Sequence, residues 1–496
     1  MSEHQLNAAP ARAVREPSLV DGLLPIVSLV GLLGLSYYLF GENASFGPNQ
    51  IALSFCGLMA ALIGAKNGME WSAIRQAATD GIGTGIQAIF ILLAVGALIG
   101  TWAMCGTIAS MVYYGLKLLS PHYFYASTCA ICAVAALSIG SSWTVAGTIG
   151  IGMMGIAQSM DLSPLITAGA VISGAYFGDK ASPLSDTANL ATAAAGSELF
   201  SHIRESLWTS VPALLLAIIG FALLGSQGDF DASATLRGME QHVTVSLWTF
   251  LPLLLVLVLA LKRVPPFVTI FASALAGGLL AVILVPQDVA ALANNSELHP
   301  AFQQLKGVWA ALATGYQVST GDASVDKLLT RGGMSSMMLT IWLIMTALAF
   351  GAIVEHTGLL RRVITPLIDR AKSTLALVAS LVGSCLASNA LTADQYISIV
   401  LPARMFRQSF ESRGLAPVML SRVVGDSATV TSPLIPWNSC GAYMSAALGV
   451  SAISFAPYCF FNLLNPLLTV LFTVVGFRVL SIATPPVVGT QSGARS

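Results

Sequence analysis

Long apolar runs separated by short polar segments make up most of this chain. A helix needs about 20 apolar residues to cross the hydrocarbon core of a bilayer, so most of the runs predict single spans. The runs near 124–139, 374–387 and 414–424 are shorter, which predicts half-helices or re-entrant segments. We therefore predict an all-α polytopic membrane protein of about 11 to 13 transmembrane spans, with broken or re-entrant helices among them. The runs lie near 23–40, 51–65, 86–104, 124–139, 144–160, 164–177, 207–225, 246–261, 267–285, 337–354, 374–387, 395–406, 414–424 and 454–477.

The composition supports a membrane location. Charged residues make up 9% of the chain, against roughly 25% in an ordinary soluble domain, and the mean hydropathy is +0.78. So few charges cannot cover a water-soluble fold of 496 residues. We therefore expect the lipid bilayer to surround the protein. The formal net charge is zero and the sequence has no basic cluster, so nucleic-acid binding is not expected.

Seven cysteines are scattered through the chain, nearly all of them in apolar stretches, where a thiol packs as a small hydrophobe. Cys129 and Cys132 form a C-x-x-C pair, but without a soluble redox domain we favour helix packing over redox chemistry. The first apolar run lacks a small-residue cleavage site, which favours a retained span over a signal peptide.

Two polar, proline-containing segments interrupt the apolar sequence, and each opens with a Gly-Asp pair. The first runs from Gly178 to Asn189 and the second from Gly425 to Asn438. Polar groups at membrane depth are costly, and paired broken segments are typical of the central ion site of a transporter.

The two Gly-Asp pairs are 247 residues apart, and the same offset places the polar break at 140–144 over a second one at 387–391. Two breaks in the same order predict an internal duplication. Basic residues are frequent after the tenth run and sparse after the third, which indicates that the two repeats are inverted. The predicted organisation is a flexible cytoplasmic tail at 1–20, N-terminal spans with an interfacial segment at 21–82, a first repeat at 83–225, linker spans and loops at 226–334, a second, inverted repeat at 335–478 and a flexible tail at 479–496.

Basic residues in short loops indicate the orientation. Arg12 and Arg15 precede the first span and Lys66 and Arg75 follow the second, whereas the loop at 41–50 has no basic residue. By the positive-inside rule, the N-terminus is expected in the cytoplasm.

The polar breaks offer the ligands that a small cation requires. A dehydrated sodium ion needs several oxygen ligands and a compensating negative charge. A poorly solvated carboxylate can hold a proton when empty and exchange it for a cation. The acids expected to bind cation and proton are Asp179, Asp186, Asp394 and Asp426, with sodium at Asp179 and Asp426. Neutral supporting ligands are expected at Ser182, Ser185, Thr187, Asn189, Asn389, Thr392, Thr431, Ser432 and Asn438, and accessory roles at Glu355 and Lys180.

Each acid also has a structural interpretation. Asp179 could pair with its neighbour Lys180. Asp186 and Asp394 could each cap the helix that follows them. Glu355 could form an interfacial ion pair with the arginines that follow the tenth run.

Two segments carry a resemblance to a known family. They read S-G-A-Y-F-G-D-K-A-S-P-L-S-D-T-A-N-L-A at 173–191 and D-S-A-T-V-T-S-P-L-I-P-W-N-S-C-G at 426–441, and they resemble the NhaC family of bacterial sodium/proton antiporters. The resemblance implies an inverted-repeat antiporter of the bacterial inner membrane, within a superfamily of carriers that often form homodimers. Ala188 and Gly425 depart from the expected pattern, which leaves the cation preference and the proton stoichiometry open.

We therefore expect a secondary active antiporter that exchanges sodium for protons by alternating access. The alternative is sodium- or proton-coupled exchange of organic acids such as malate and lactate, for which Lys180 and Arg422 are the basic residues beside the motifs. An intramembrane aspartyl protease is disfavoured because Gly178-Asp179 lacks the Gly-x-Gly-Asp form. The sequence contains no phosphate-binding loop or hydrolase motif, so we expect neither an enzyme nor a cofactor.

Overall fold

The computed structural model describes residues 15–225, 233–318, 326 and 328–481, and in this part of the chain the fold is helical. Extended pairing among these residues is limited to two isolated bridges, Tyr316 with Arg331 and Leu415 with Ser481. The predicted all-α polytopic class is confirmed. Most of the two predicted tails, at 1–14 and 482–496, lies outside the described residues.

The helices of the first half begin at the N-terminal span and end before the linker. They are α1 (Leu19–Phe40), α2 (Pro48–Lys66), α3 (Trp71–Thr84), α4 (Ile86–Met104), α5 (Thr107–Leu118), α6 (Phe124–Ile139), α7 (Ser142–Val145), α8 (Ile151–Ser159), α9 (Pro164–Ala181), α10 (Asp186–Ala195) and α11 (Leu199–Leu223). A π-helical turn at Ala146–Gly150 joins α7 to α8.

The linker and the second half contain the remaining described helices. They are α12 (Ser233–His242), α13 (Leu251–Leu261), α14 (Pro266–Leu284), α15 (Pro286–Ala293), α16 (Pro300–Thr314), α17 (Met338–His356), α18 (Leu359–Arg370), α19 (Thr374–Thr392), α20 (Gln395–Glu411), α21 (Pro417–Val424), α22 (Ser439–Leu448), α23 (Ala452–Phe455) and α24 (Phe460–Val474). A π-helical turn at Gly425–Thr429 extends α21.

Eight helices among the described residues are long and apolar enough to cross a membrane. A ninth span results if α22 and the segment Ala452–Tyr458, which contains α23 and is bent by 88° from α22, count together. The other described helices do not qualify as spans by length and composition alone, because they are short or, like α9 and α20, carry charged residues. The figure of 11 to 13 spans therefore stays a prediction. Two of the three expected half-helices are wrong, because Pro121–Ile139 and Thr374–Thr392 are each 19 residues long. The third, at 414–424, contains the 8-residue helix α21.

Glycines allow α9 to pack closely on α6. A Cβ added at Gly174 would lie 2.2 Å from the carbonyl oxygen of Cys129, and one at Gly178 would lie 2.2 Å from the backbone nitrogen of Leu137. Only glycine permits two backbones to approach so closely. This contact positions the C-terminal end of α9, which carries Asp179 and Lys180.

Matching helices recur along the chain at a separation of 252 to 253 residues. Helices α4 and α17 both have 19 residues, α5 and α18 both have 12, and α10 and α22 both have 10. The glycines beside them also match, because Gly106 and Gly358 precede α5 and α18 with φ of 83° and 73°. This register differs from the 247-residue offset of the Gly-Asp pairs, so Asp179 and Asp426 occupy different positions in the two sets of helices.

The matching helices α4 and α17 run in opposite directions. A Cβ at Gly85, just before α4, would meet the middle of α17 at Leu348, whereas one at Gly96 would meet Met337 at the start of α17. The backbone N–H of Gly333 also donates to the carbonyl oxygen of Gly96, at 2.7 Å. The first helix of one set is therefore antiparallel to the first helix of the other.

Candidate cation-binding site

A polar cavity lies where four helices begin. Helices α7, α10, α20 and α22 start with the capping residues Ser141, Ser185, Asp394 and Asn438, whose side chains accept backbone N–H groups of the first turn. These four starts face one another within the protein. The cavity is lined by Thr84, Gly85, Gln87, Ala88, Ile91, Ser141, Ser142, Trp143, Asp179, Asp186, Thr187, Pro266, Asp394, Gln395, Tyr396, Ser439 and Cys440.

The two sets of helices contribute equivalent positions to this lining. Residues 141–143 at the start of α7 match 394–396 at the start of α20, and residues 186–187 of α10 match 439–440 of α22, all at an offset of 253. The cavity is therefore pseudo-symmetric in backbone but not in charge. Asp186 is equivalent to Ser439, and Asp394 is equivalent to Ser141.

Asp179 is buried at the end of α9 and faces this cavity. Its Oδ1 accepts hydrogen bonds from the hydroxyls of Ser185 (2.6 Å) and Thr187 (3.3 Å), and its Oδ2 accepts one from Ser142 (2.6 Å). These hydroxyls come from the starts of α7 and α10. They surround the carboxylate with oxygen atoms, which are the ligands that sodium requires.

Two further predicted acids line the same cavity. Asp394 is buried, and its Oδ1 accepts the backbone N–H of Ile397 at 2.8 Å, so the capping interpretation of this residue is confirmed. Asp186 is exposed and accepts a hydrogen bond from the hydroxyl of Tyr396. It is the first residue of α10 rather than its cap, because Ser185 has that position, so the capping interpretation of Asp186 is wrong.

Asp426 lies apart from this lining, in the π-helical turn that follows α21. Its Oδ1 accepts hydrogen bonds from Lys180 and from Thr209, the latter at 2.7 Å, and its Oδ2 accepts one from Thr469. Lys180 and Asp426 form an ion pair with side chains 1% and 0% exposed. The interpretation that Lys180 pairs with Asp179 is therefore wrong.

The Lys180–Asp426 pair belongs to a larger buried charge cluster. The Arg422 guanidinium lies 3.9 Å from the Asp426 carboxylate and 3.8 Å from that of Glu205. Glu205 in turn pairs with Arg478 at 3.2 Å, near the protein surface. Positive and negative groups alternate along this cluster, so each buried charge has a partner of opposite sign.

Most of the predicted neutral ligands stabilise backbone instead. The Asn389 side-chain amide donates to the carbonyl oxygen of Ala428 at 2.7 Å, and the Asn438 amide donates to that of Asn389 at 3.0 Å. These bonds satisfy carbonyl groups that the broken helices leave free. Local backbone contacts occupy five further side chains. Ser182 accepts the backbone N–H of Leu184, and the side chains of Asn189, Thr392, Thr431 and Ser432 donate to carbonyl groups three or four residues earlier.

Glu355 lies outside the cavity, on a second groove that also contains Arg404 and Tyr396. Within the described residues, Glu355 forms no ion pair with Arg361 or Arg362, so the interfacial pair is not seen.

Sequence reasoning missed several residues of the site. Ser142 and Tyr396 reach the acids of the cavity, and Thr209 and Thr469 reach Asp426. A usable signal existed for the last two, because hydroxyl side chains inside the apolar runs of α11 and α24 are candidates for interior contacts.

The fold and the site define a class of protein: a polytopic helical carrier whose broken helices meet at a buried polar centre. A model of the Na+/H+ antiporter family matches residues 174–477. The chain is 37% identical to the Na(+)/H(+) antiporter NhaC of Alkalihalophilus pseudofirmus, across 87% of this chain and 91% of that protein. It is 35% identical to the Na(+)/H(+) antiporter NhaC of Bacillus subtilis, across 83% and 88%. It is also 30% identical to a Malate-2H(+)/Na(+)-lactate antiporter of Bacillus subtilis, across 93% and 96%. The chain belongs to the NhaC family of sodium/proton antiporters.

Proposed function

We propose that this protein exchanges sodium for protons across the bacterial inner membrane, as a secondary active carrier rather than an enzyme. The cavity at the starts of α7, α10, α20 and α22 binds the cation, and alternating access exposes it to each side in turn. The names of the two NhaC relatives support sodium and protons as substrates.

The observation that carries the proposal is the charge of the cavity lining. Asp179, Asp186 and Asp394 supply three carboxylates, and the described lining includes no Lys, Arg or His side chain. Such a lining attracts a small cation and repels an anion. The hydroxyls of Ser142, Ser185 and Thr187 supply further oxygen ligands around Asp179.

Competition for the same carboxylates couples the two ions. When sodium leaves, a proton binds the cavity carboxylates and neutralises charge that burial makes costly. Sodium or protons, but not both, then occupy the site during each crossing. One shared site is sufficient for obligatory exchange.

Sodium binding at Asp426 depends on the ion-pair partner of this residue, Lys180. Lys180 already neutralises this carboxylate, so a sodium ion at Asp426 requires Lys180 to release it or to lose its own proton. The predicted sodium contact at Asp426 therefore depends on a change at Lys180. The sodium contact at Asp179 requires no such change.

The exchange of organic acids is the second candidate, and the name of the malate and lactate relative favours it. A carboxylate substrate would need a cationic or helix-N-terminal anchor. The four helix starts attract an anion, but the three carboxylates of the lining repel it, so a cationic side chain would also be needed in the cavity. Lys180 and Arg422, the two candidates, instead belong to the buried cluster around Asp426. We therefore place sodium/proton exchange first.

We further propose that 83–225 and 335–478 are inverted repeats and that the N-terminus is cytoplasmic. The matching helix lengths and the antiparallel course of α4 and α17 support the first point. For the second, the start of α1 and the end of α2 share one face, where Lys66 pairs with Asp21 at 2.8 Å. Gly22 approaches Val363 on the same face, beside Arg361 and Arg362. A face rich in basic residues is expected to be cytoplasmic. The homodimer remains a prediction.

The test is exchange in proteoliposomes that contain a pH-sensitive dye. Sodium, lithium, potassium, malate and lactate are added in turn to the purified protein in vesicles with an imposed pH gradient. We expect sodium to dissipate the gradient and the two organic acids to leave it unchanged. A response to malate or lactate alone would establish the second candidate.

A further inference from the structure

Two aromatic side chains line the cavity at equivalent positions. Trp143 is the second residue of α7 and Tyr396 is the second residue of α20, and they are 253 residues apart. In inverted repeats, equivalent residues face opposite sides of the membrane. The proposed inversion of the two halves therefore places the two rings on opposite sides of the cation-binding cavity.

The surroundings of the two rings differ. The Trp143 ring stacks on that of Tyr443, with centroids 4.1 Å apart and an interplanar angle of 13°. The Tyr443 hydroxyl also donates to the carbonyl oxygen of Trp143 at 2.7 Å. Tyr396, by contrast, is 42% exposed, and its hydroxyl donates to Asp186.

The residue beside each ring also differs. At the same offset of 253, the residue equivalent to Tyr443 is Leu190. Leu190 and Tyr396 both line the second groove, together with Ile397, Val400, Leu401, Glu355 and Arg404. An aromatic ring therefore fills the space beside Trp143, whereas the equivalent space beside Tyr396 is an open groove.

We propose that Trp143 and Tyr396 are the two gates of the cavity, each closing it toward one face of the membrane. Tyr396 lines both the cavity and the groove, so its side chain forms the wall between them. Its closed position is held by the hydrogen bond to Asp186, one of the carboxylates that would meet the entering cation. The cation enters from the groove, displaces Tyr396 from Asp186 and reaches Asp179.

Both gates are closed in this structure, but by different contacts. Trp143 is closed by ring stacking, and Tyr396 is closed by one hydrogen bond beside an open groove. Glu355 lies in the last turn of α17, and Thr357 just after this helix packs against Gly64 near the end of α2, so the groove leads to the face that we propose is cytoplasmic. Alternating access then exchanges the two surroundings, with a groove opening beside Trp143 while α10 and α20 close around Tyr396. This proposal rests on the proposed function, because it assigns the cavity to the transported cation.

A native cysteine reports on the gates without any transport measurement. Cys440 lines the cavity and is 1% exposed, and the other six cysteines are buried outside the lining. A membrane-impermeant, cationic methanethiosulfonate reagent is added to right-side-out or everted vesicles. Mass spectrometry of the Cys440 peptide then gives the rate of modification from each side, with Cys440→Ser as the background.

Removal of one hydroxyl should open one gate. Tyr396→Phe should raise the rate at Cys440 about tenfold or more from the groove side, the factor expected when one charge-assisted hydrogen bond no longer favours the closed form. Leu190→Tyr places an aromatic ring in the groove and should lower the rate from the same side. Tyr114→Phe removes a hydroxyl that lies outside both the cavity and the groove, so it is the matched control. It should leave the rate of Cys440 modification unchanged from either side.

The opposite gate should respond from the opposite side. Trp143→Leu should raise the rate at Cys440 from the face away from the groove, and Tyr443→Leu should do the same if the first variant does not fold. Unchanged rates in Tyr396→Phe, or increases from the same side for both gates, would overturn the proposal. Sodium should slow the modification of Cys440 in the unaltered protein. Sodium could leave the rate of Cys440 modification unchanged while Tyr396→Phe still raises it from the groove side. That result would support the two gates and contradict the assignment of the cavity to sodium.

Discussion

Asp179 and Lys180 are adjacent in the chain, yet their side chains have different environments. Asp179 contacts hydroxyls at the starts of α7 and α10, whereas Lys180 contacts Asp426 and polar groups of α11 and α24. Successive residues of a helix point about 100° apart, so the end of α9 directs Asp179 toward the cavity and Lys180 toward Asp426. The same helix therefore links the cavity to the buried ion pair.

Replacement of Asp179 by Asn should reduce exchange to the background of empty vesicles. The amide keeps the shape of the side chain but neither titrates nor neutralises a cation. Sodium-dependent dissipation of a pH gradient is the measurement. Asp161→Asn is the matched control, because Asp161 is exposed outside the cavity and its φ of 52° suits Asn equally well. Exchange near the control level in Asp179→Asn would remove this carboxylate from the site.

Replacement of Asp426 by Asn should destabilise the protein as well as impair exchange. It leaves the Lys180 ammonium buried without a counter-charge, and breaking a buried pair on one side typically costs about 3–5 kcal/mol. The double variant Lys180→Met, Asp426→Leu should recover much of this loss, because no unpaired charge remains. Thermal unfolding in detergent compares the three proteins. A double variant no more stable than Asp426→Asn would contradict the role of charge in this cluster.

At the scale of helices, close packing between α6 and α9 places Asp179 in the cavity. Gly174→Ala should destabilise the protein by about 1–3 kcal/mol, because the new methyl group meets the backbone at Cys129 and the helices must separate. The midpoint of thermal unfolding in detergent should fall. The control is Gly383→Ala on α19, where a Cβ meets nothing within 4 Å. There the substitution should be neutral or add up to about 1 kcal/mol, since Ala is the better helix former. Equal effects of the two changes would mean that the close contact is not needed.

At the scale of the whole molecule, inverted repeats predict opposite sidedness of equivalent points. Lys117 near the end of α5 and Arg370 at the end of α18 are both exposed and lie 253 residues apart. Cysteines introduced there should react with an impermeant maleimide from opposite sides of the membrane. Denatured samples give the total number of reactive thiols as the control. Reaction of both positions from the same side would show that the repeats are not inverted.

The shared site also predicts how exchange depends on pH. A proton that competes with sodium weakens the apparent sodium affinity as the pH falls below the pKa of the site. For one competing proton the decrease is about tenfold per pH unit, equivalent to about 1.4 kcal/mol, and the maximal rate changes little. Initial rates of exchange across a series of sodium concentrations and pH values measure both quantities. A constant affinity with a changing maximal rate would point to a separate regulatory proton site.

The sequence by itself determined the environment, the helical class and the segments that carry the polar centre. These properties follow from local composition, because long apolar runs with few charges must lie in lipid and broken polar segments at membrane depth need partners nearby. It also named Asp179, Asp186, Asp394 and Asp426 as candidate acids, and the first three line one cavity in the structure. The family motif at 173–191 and 426–441 was readable without any coordinates, and the relatives confirm it.

Only the tertiary structure decided which of these residues meet. The Gly-Asp pairs suggested that Asp179 and Asp426 are equivalent at an offset of 247, but the helices match at 252 to 253 and place Asp426 against Lys180. Partners such as Thr209 and Thr469 lie 217 and 43 residues away in sequence, on helices whose apolar pattern gives no indication of which neighbour they face. The contact of each polar side chain depends on the rotation and the crossing of its helix, and both are set by packing across the whole membrane domain.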